Sequence, residues 1–332
     1  MMPRMMPSAR RRMLMSAACA GLVTSLPARA QPVPFPSRPV KLVVTVNPGN
    51  TGDTRARQIA ERLGPLLGGQ AVVENRPGAS GNIAAEFVAR APADGHTLLM
   101  GNVFNMTWNP HLLKMNFDPV KTLTGITMVS AGPPLLVAHP SVPFNTVGEM
   151  IAYARANPGK LNMGGTTGGV AHVVTEMMRQ STGANITFVP YKAAGGQITT
   201  DLVANVIQVY FDWTVTLQPL INTGRVKALG VASDRRLSAV PAIPTFAESG
   251  YPGGLDVPAW QGLYAPAGTP VAILVRLAAE TAKVLNMPDI RQAFESSGAV
   301  IGGNSPEQFQ AFTLAEYERW GRVIGQAGIR LD

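Results

Sequence analysis

The sequence predicts an α/β protein built from two lobes, and three observations support this fold class. Short β-branched apolar runs alternate with segments of helical periodicity, which is the pattern of parallel β-α-β units. The alternation occurs as two series, one before and one after about residue 135. Without a predicted 30-residue leader, about 302 residues remain, which is more than a single core usually supports.

The first 30 residues have the layout of a secretory signal peptide. The head is rich in arginine and holds no acid, the apolar stretch 14–26 follows, and Ala28-Arg29-Ala30 has small residues on both sides of Arg29. The apolar stretch is too short to span a bilayer as a helix. We therefore predict export to the periplasm, with cleavage after Ala30.

Two features of the leader leave alternatives open. Arg10-Arg11-Arg12 resembles a twin-arginine export signal, but arginine-rich heads also occur in ordinary signals, so the export route stays undecided. Cys19 suggests lipid attachment, but Ser16 stands where such a signal normally has an aliphatic residue. We favour the interpretation that Cys19 is a small apolar residue of the leader.

Charge and cysteine content exclude several functions. After the leader, 23 basic and 20 acidic residues remain, a net charge of +3, so the sequence pI of about 9.9 largely reflects the leader. The mature chain has no run of lysine or arginine, and nucleic acid is not expected as a partner. It also has no cysteine, so neither disulfides nor thiolate chemistry are expected.

Strands and helices are predicted in both series and at the end of the chain. The first series has strands 39–46, 70–74 and 97–100 and helices 54–63 and 82–91. The second has strands 135–138, 161–163, 186–190, 206–211 and 227–231 and helices 147–156 and 171–180. A strand at 258–266 and helices 271–285 and 306–324 follow, the last with Ser305 and Gln308 placed for a capping box.

No catalytic constellation is found in the sequence. The glycines of 164–169 have the spacing of a phosphate loop, but Val170-Ala171 stand where lysine and serine or threonine would be needed. The four histidines are scattered, and His172 with Glu176 gives two potential metal ligands at one helical turn, which do not make a site. We predict no catalytic residue, no metal and no cofactor.

Loops rich in glycine, asparagine and threonine recur between a predicted strand and a predicted helix, at 47–53, 101–109 and 164–172. Unpaired N–H groups and a partial positive charge at a helix N-terminus attract a carboxylate without arginine or lysine. In open α/β sheets such loops lie at the carboxyl ends of the strands, where ligands bind. The alternative is that these residues only form turns and caps; three such loops together favour binding.

Many short motifs resemble the Bug family, the extracytoplasmic receptors of tripartite tricarboxylate transporters. The resemblance runs from about residue 36 to the C-terminus. The motifs are 36–40 (PSRPV), 48–53 (PGNTGD), 73–83 (VENRPGASGNI), 94–101 (DGHTLLMG), 109–110 (NP), 118–120 (DPV), 157–162 (NPGKLN), 189–192 (VPYK) and 263–270 (LYAPAGTP).

This resemblance implies a type II periplasmic-binding-protein clamp, the Venus flytrap architecture, with a carboxylate ligand held between the lobes. Because the strand and helix pattern leaves one lobe, builds another and returns, we predict lobe 1 at 36–138 and 257–332 and lobe 2 at 139–256. The implied ligand-binding residues are Asn50, Thr51, Gly52, Asp53, Asn102, Asn105, Thr166, Thr167, Gly168, His172, Tyr191, Lys192 and Asp212. We add Trp213, which directly follows Asp212, for a reason of its own. Asp53 has an alternative role as a helix cap, His172 as a cap or a packing residue, Lys192 as a surface charge and Asp212 as a partner of backbone N–H groups.

The sequence departs from the family pattern at two places. Asn50 and Thr51 stand where further glycines are usual, and Trp213 stands where a small polar residue is common. An indole in the cleft would stack on a flat ligand. An aromatic acid therefore becomes more plausible than citrate.

The predicted function is capture of a small carboxylate-bearing ligand for delivery to the membrane subunits of a secondary transporter. We expect a monomer. Two alternatives remain, a sensor accessory that presents the ligand-bound form to a membrane kinase and an exported enzyme that uses the same cleft. An enzyme would need an acid–base or nucleophile pair, which the sequence does not offer.

Overall fold

The structure is a computed structural model that describes residues 35–192, 196–237, 239–257, 259–296, 298–326 and 328–329, without the side chains of Thr51 and Val215. The predicted leader, its arginines, Cys19 and the cleavage site lie outside the described residues. In the described part, no helix is both long enough and apolar enough to span a membrane.

The first lobe is built around a mixed six-stranded sheet. Its strands are β1 (Val40–Val44), β2 (Ala71–Asn75), β3 (Thr97–Asn102), β4 (Leu123–Gly132), β10 (Ala259–Pro266) and β11 (Val300–Ile301), in the order β11-β4-β10-β3-β1-β2. Strand β1 pairs in parallel with β2 and β3, whereas β10 is antiparallel to both β3 and β4. The start of β10 therefore lies at the same edge as the ends of β1 and β3.

Among the residues that the structure describes, seven α-helices accompany this sheet. They are α1 (Thr51–Leu67), α2 (Asn82–Ala89), α3 (Asn109–Leu112), α4 (Pro119–Thr122), α9 (Val271–Leu285), α10 (Pro288–Glu295) and α11 (Pro306–Gln326). A buried apolar cluster joins Leu42 and Leu263 of the sheet to Ile59 of α1 and Leu277 of α9. Burial of this apolar surface is the main force that holds α1 and α9 against the sheet.

The second lobe is built around a mixed five-stranded sheet. Its strands are β5 (Pro134–Ala138), β6 (Leu161–Thr166), β7 (Ile186–Tyr191), β8 (Val209–Trp213) and β9 (Lys227–Val231), in the order β7-β6-β8-β5-β9. Helices α5 (Val147–Ala156), α6 (Val170–Thr182), α7 (Gly196–Val203) and α8 (Thr214–Asn222) accompany it. Strand β6 is parallel to β7 and β8, and β5 is antiparallel to its neighbours.

The chain crosses from the first sheet to the second after β4 and returns after β9. The predicted α/β fold with two lobes is thus confirmed. Strand β5 pairs only with strands of the second sheet in the described part, although it precedes the predicted boundary at 138/139. The lobe boundaries themselves remain a prediction.

The predicted start of the last helix is also confirmed. Ser305 Oγ accepts a hydrogen bond from Gln308 N at 3.3 Å, and Ser305 N donates to Gln308 Oε1 at 3.1 Å. This is the reciprocal capping box, and it satisfies two backbone donors that the helix itself leaves unpaired.

Candidate functional site

A cavity of about 680 Å³ lies between the two lobes, a size typical of sites for small molecules. Of the lining residues in the described part of the chain, twelve come from the first lobe: Thr45, Val46, Asn47, Asn50, Pro77, Gly78, Ala79, Ser80, Gly81, Asn102, Phe104 and Gln261. Eight come from the second lobe: Thr166, Thr167, Gly168, Gly169, Pro190, Tyr191, Lys192 and Trp213. Each of the three predicted loops contributes to this lining.

The loop between β1 and α1 is fixed by a carboxylate that is not among the lining residues. Asn50 caps α1, and its side chain accepts from Gly52 N at 3.1 Å. Asp53 is buried and accepts from Gly49 N at 2.9 Å and from Asn75 Nδ2 at 2.8 Å. Asp53 thereby ties the loop to the end of β2.

Arg57 completes this network. It donates to Asp53 from Nε at 3.0 Å, and its Nη2 lies 2.9 Å from Oδ1 of the same carboxylate. Its hydrogen bond, followed by those from Gly49 and Asn75, lowers the pKa of Asp53 to about 2, against the opposing effect of burial. Asp53 is therefore an ionised structural anchor of the loop, and it is not among the lining residues.

The loop after β3 contains two asparagines with different placements. Asn102 lines the cavity, and its Oδ1 accepts from Phe104 N at 3.0 Å and Asn105 N at 3.2 Å. Asn105 is fully buried, and its Oδ1 accepts a hydrogen bond from Asn102 N at 3.0 Å. These bonds begin a π-helical turn at Phe104–Trp108, a feature often found at functional sites. Only Asn102 of the pair faces the cavity.

The turn at 78–81 forms a strained part of the wall. Four consecutive residues have positive φ angles: Gly78 at 120°, Ala79 at 46°, Ser80 at 52° and Gly81 at 92°. Alanine and serine rarely adopt this left-handed conformation, which persists only where the surroundings enforce it. Asn109 Nδ2 holds the turn by donating to Ser80 O at 3.2 Å.

This turn also contacts the opposite lobe. Ser80 Oγ donates to Thr167 O at 3.3 Å, so this side chain of the first-lobe wall contacts the second-lobe wall. The sequence prediction of the site does not include this turn. Its Pro-Gly-Ala-Ser-Gly composition indicates an unusual backbone conformation, but it does not indicate at which edge of the sheet the turn lies.

The second-lobe loop places the N-terminus of α6 at the cavity. Thr166, Thr167, Gly168 and Gly169 line it, and the N-cap Gly169 has no side chain to occupy the first N–H groups of the helix. A Cβ on Gly169 would lie 2.4 Å from Thr166 Oγ1 and 3.1 Å from Thr166 O, so a larger residue here would require Thr166 to move. The partial positive charge of the helix end is directed at the cavity.

His172 supports this loop from behind. Its Nδ1 accepts from Gly168 N at 3.2 Å, and its ring stacks on Phe188 with centroids 4.1 Å apart. Burial lowers the pKa of His172, with a smaller opposing effect from Glu176. The imidazole is thus neutral at pH 7 and lies outside the lining.

Two predicted residues at the end of β7 line the cavity in different ways. Tyr191 Oη donates to Asp201 Oδ2 at 2.6 Å, and burial together with this bond raises the phenol pKa to about 12. The ring is therefore held in place as an apolar wall. Lys192 is exposed and, of the lining residues in the described part, it alone has a charged side chain.

The end of β8 contributes an indole to the lining and a carboxylate behind it. Trp213 lines the cavity, whereas Asp212 is buried and absent from the lining. Asp212 accepts from Trp213 N at 2.8 Å and from Tyr210 Oη at 2.8 Å. Burial raises the pKa of Asp212 to about 6 in spite of these bonds. Asp212 thus fixes the backbone from which the indole projects.

The structure brings together eight of the fourteen predicted residues as lining: Asn50, Asn102, Thr166, Thr167, Gly168, Tyr191, Lys192 and Trp213. Gly52, Asp53, Asn105, His172 and Asp212 lie outside it, and the Thr51 side chain lies outside the described residues. Whether any of the fourteen binds ligand remains a prediction. Among the residues not predicted, Phe104 and Gln261 add an aromatic ring and an amide to the first-lobe wall.

A cavity closed on two sides by the strand-end loops of two α/β lobes defines a clamp-type solute-binding protein. Residues 55–329 match the family described as tripartite tricarboxylate transporter family receptor. The chain belongs to this family of periplasmic solute-binding receptors, and the resemblance found in the sequence is confirmed.

Individual relatives agree in fold and extent. BugT of Bordetella pertussis is 31% identical over 303 residues, 90% of this chain and 91% of BugT. The solved structure of Rpa4515 of R. palustris with adipate is 35% identical, with a TM-score of 0.81 over 90% of this chain and all of that one. MatC from Rhodopseudomonas palustris with bound malate is 31% identical, with a TM-score of 0.79 over 87% of this chain and all of MatC.

Proposed function

We propose that this receptor binds one small organic acid in the cavity between its lobes and delivers it unchanged to the membrane subunits of a tripartite tricarboxylate transporter. The observation that carries the proposal is the lining itself. It combines the N-terminus of α6 and the Lys192 side chain with neutral polar groups and aromatic rings. Similar proteins with adipate and with malate provide independent support.

The carboxylate of the ligand is proposed to bind at the loop 166–169. Backbone N–H groups at a helix N-terminus are suited to an anion, and Lys192 on the same lobe adds a full positive charge. Of the lining residues in the part of the chain that the structure covers, none is aspartate or glutamate, so no anionic side chain opposes the ligand.

The body of the ligand is proposed to lie against Phe104, Tyr191 and Trp213. Phe104 packs edge-to-face on Trp108 at 5.2 Å and Tyr191 is held by Asp201, so two of these three walls are preorganised. Fixed aromatic walls favour flat or apolar ligands because little side-chain entropy is lost on binding. This arrangement supports aromatic acids as ligands alongside aliphatic ones.

The same lining supports capture without catalysis. Ser80 is a hydroxyl at the cavity wall, but its Oγ donates to Thr167 O, and no histidine, aspartate or glutamate of the described chain joins it in the lining. A serine nucleophile needs such a base within hydrogen-bond reach.

We further propose that the mature protein is a monomer that begins after Ala30.

Titration calorimetry with a panel of aliphatic and aromatic acids and their matched amides tests this function. We expect acids to bind and amides to bind much more weakly. Lys192→Met should weaken acid binding about 2- to 5-fold, whereas Lys160→Met, at an exposed site elsewhere on the second lobe, should not.

The aromatic wall is tested in the same titrations. Trp213→Ala should weaken aromatic acids about tenfold and aliphatic acids less. Binding of amides as tight as that of acids, or no binding by any acid, would contradict the proposed function. Native mass spectrometry of freshly purified protein would identify a retained ligand by its mass.

A further inference from the structure

Gln261 occupies an unusual place for a polar residue. It lies in β10 beside the fully buried Trp260, and it lines the cavity on the first-lobe wall. The pairing of β10 with β4 shifts between Gln261 and Gly262, so a bulge adjoins the residue. Bulges of this kind reorient side chains and are common beside active sites.

The amide of Gln261 has no hydrogen-bond partner in the described part of the chain. Its Oε1 is shielded from solvent and unpaired, and its Nε2 is 3.3 Å from the point where a Cβ on Gly52 would lie, in the first turn of α1. Two polar neighbours on the same wall are paired with each other: Asn102 Nδ2 donates to Thr45 Oγ1 at 3.3 Å. An amide left unpaired beneath a binding cavity is costly unless the ligand supplies its partner.

We propose that Gln261 is a specificity-determining residue that hydrogen-bonds a hydroxyl group of the bound acid. This inference rests on the proposed function, because the carboxylate of the same ligand is taken to bind at the second-lobe loop 166–169. A ligand with both groups contacts both lobes at once and stabilises the closed form.

The chemistry of the amide selects the hydroxyl group over other polar groups. A hydroxyl both donates and accepts, so it pairs with either end of the amide, and the terminal torsion of glutamine rotates readily to present either one. A second carboxylate only accepts, so it pairs with Nε2 but leaves the buried Oε1 without a donor. An ammonium group only donates and, among the described lining residues, finds no carboxylate to balance its charge.

Calorimetry with acids that differ at one position tests this inference on the wild-type protein. The aliphatic series is succinate, malate and aspartate, and the aromatic series is benzoate and its three hydroxy isomers. In at least one series we expect a hydroxylated acid to bind roughly 5- to 150-fold more tightly than the plain acid, and aspartate to bind no better than succinate.

Gln261→Met keeps the length of the side chain and removes both polar ends. It should reduce the preference for the hydroxylated acid to less than about threefold, while Gln292→Met, at an exposed position on α10, should leave it unchanged. If Gln261→Met does not fold, Gln261→Asn moves the amide back by one methylene and should also reduce the preference.

Three results would overturn the inference. Equal binding of plain and hydroxylated acids by the wild type in both series would do so and leave the proposed function standing. A preference for the hydroxylated acid that persists in a folded Gln261→Met variant would also overturn the inference and leave the proposed function standing. If no acid of either series bound, the inference would fail, and if no acid of the wider panel bound either, the proposed function would fail with it.

Discussion

Replacement of Asp53 by asparagine tests whether this residue anchors the loop or contacts the ligand. The carboxylate is buried, accepts from Gly49 N, Asn75 Nδ2 and Arg57, and is absent from the cavity lining. Asparagine keeps the shape of the side chain but loses the charge and turns one acceptor into a donor. We expect the loop between β1 and α1 to loosen, and ligand affinity to fall only as a consequence of that loosening.

The magnitude follows from the pKa of Asp53. Its fall from 3.8 to about 2 corresponds to about 2.4 kcal/mol of stability at pH 7. Arg57, the largest cause, is half exposed, and solvent screening reduces its share. We therefore expect Asp53→Asn to lower the free energy of unfolding by about 2 kcal/mol at pH 7.

The pH dependence gives this prediction its sign. Because the folded pKa is lowered, the stabilisation is complete above pH 4 and is lost as the pH falls through about 2. Urea unfolding should show the gap between wild type and Asp53→Asn shrinking to about half at pH 3. Glu61→Gln on the same helix removes a carboxylate that is 78% exposed and should have little effect at any pH. A gap that is constant from pH 7 to pH 3 would refute the assigned role.

Two further predictions concern the walls of the cavity. Burial raises the pKa of Asp212 to about 6, so the protein should gain up to about 3 kcal/mol of stability as the pH falls from 7 through 6 towards 3.8. Asp212→Asn should remove this gain, as measured by urea unfolding. An unchanged pH dependence in the variant would contradict the prediction. Gly81→Ala places a Cβ 2.7 Å from Asn105 Nδ2 at a φ of 92° and should cost about 2–3 kcal/mol. Gly159→Ala is the control, because Gly159 also has a positive φ but has nothing within 4 Å of the added Cβ. It should lower the free energy of unfolding by about 1 kcal/mol. Equal thermal destabilisation by both variants would show that the contact with Asn105 is unimportant.

Local sequence patterns determined most of the secondary structure. Helices α1, α9 and α11 and strands β1, β3 and β7 were predicted because their apolar residues recur at one clear period and their ends have turn residues or caps. Strand β4 was missed. Gly125, Thr127 and Ser130 interrupt its apolar pattern, and its stability comes from pairing with β10 on one side and β11 on the other.

The direction in which polar side chains point was decided by the tertiary structure. Asp53 and His172 stand in predicted binding loops, but both turn back to hold those loops. The partner that reveals the role of Asp53 is Asn75, which follows it by 22 residues. The spacing of residues within one loop holds no information about such a partner.

Strand direction determined the other part of the site. Reasoning from parallel β-α-β units looks only at the carboxyl ends of strands, and it found the loops that contribute Asn50, Asn102 and Thr166. Strand β10 is antiparallel to β3, so it brings Gln261 near its first residue to the same edge of the sheet. The sequence by itself determined the family, the two lobes and the loops of the cleft, because local periodicity and motifs encode them. Which side chains face the cavity depended on contacts between distant segments, which only the folded chain establishes.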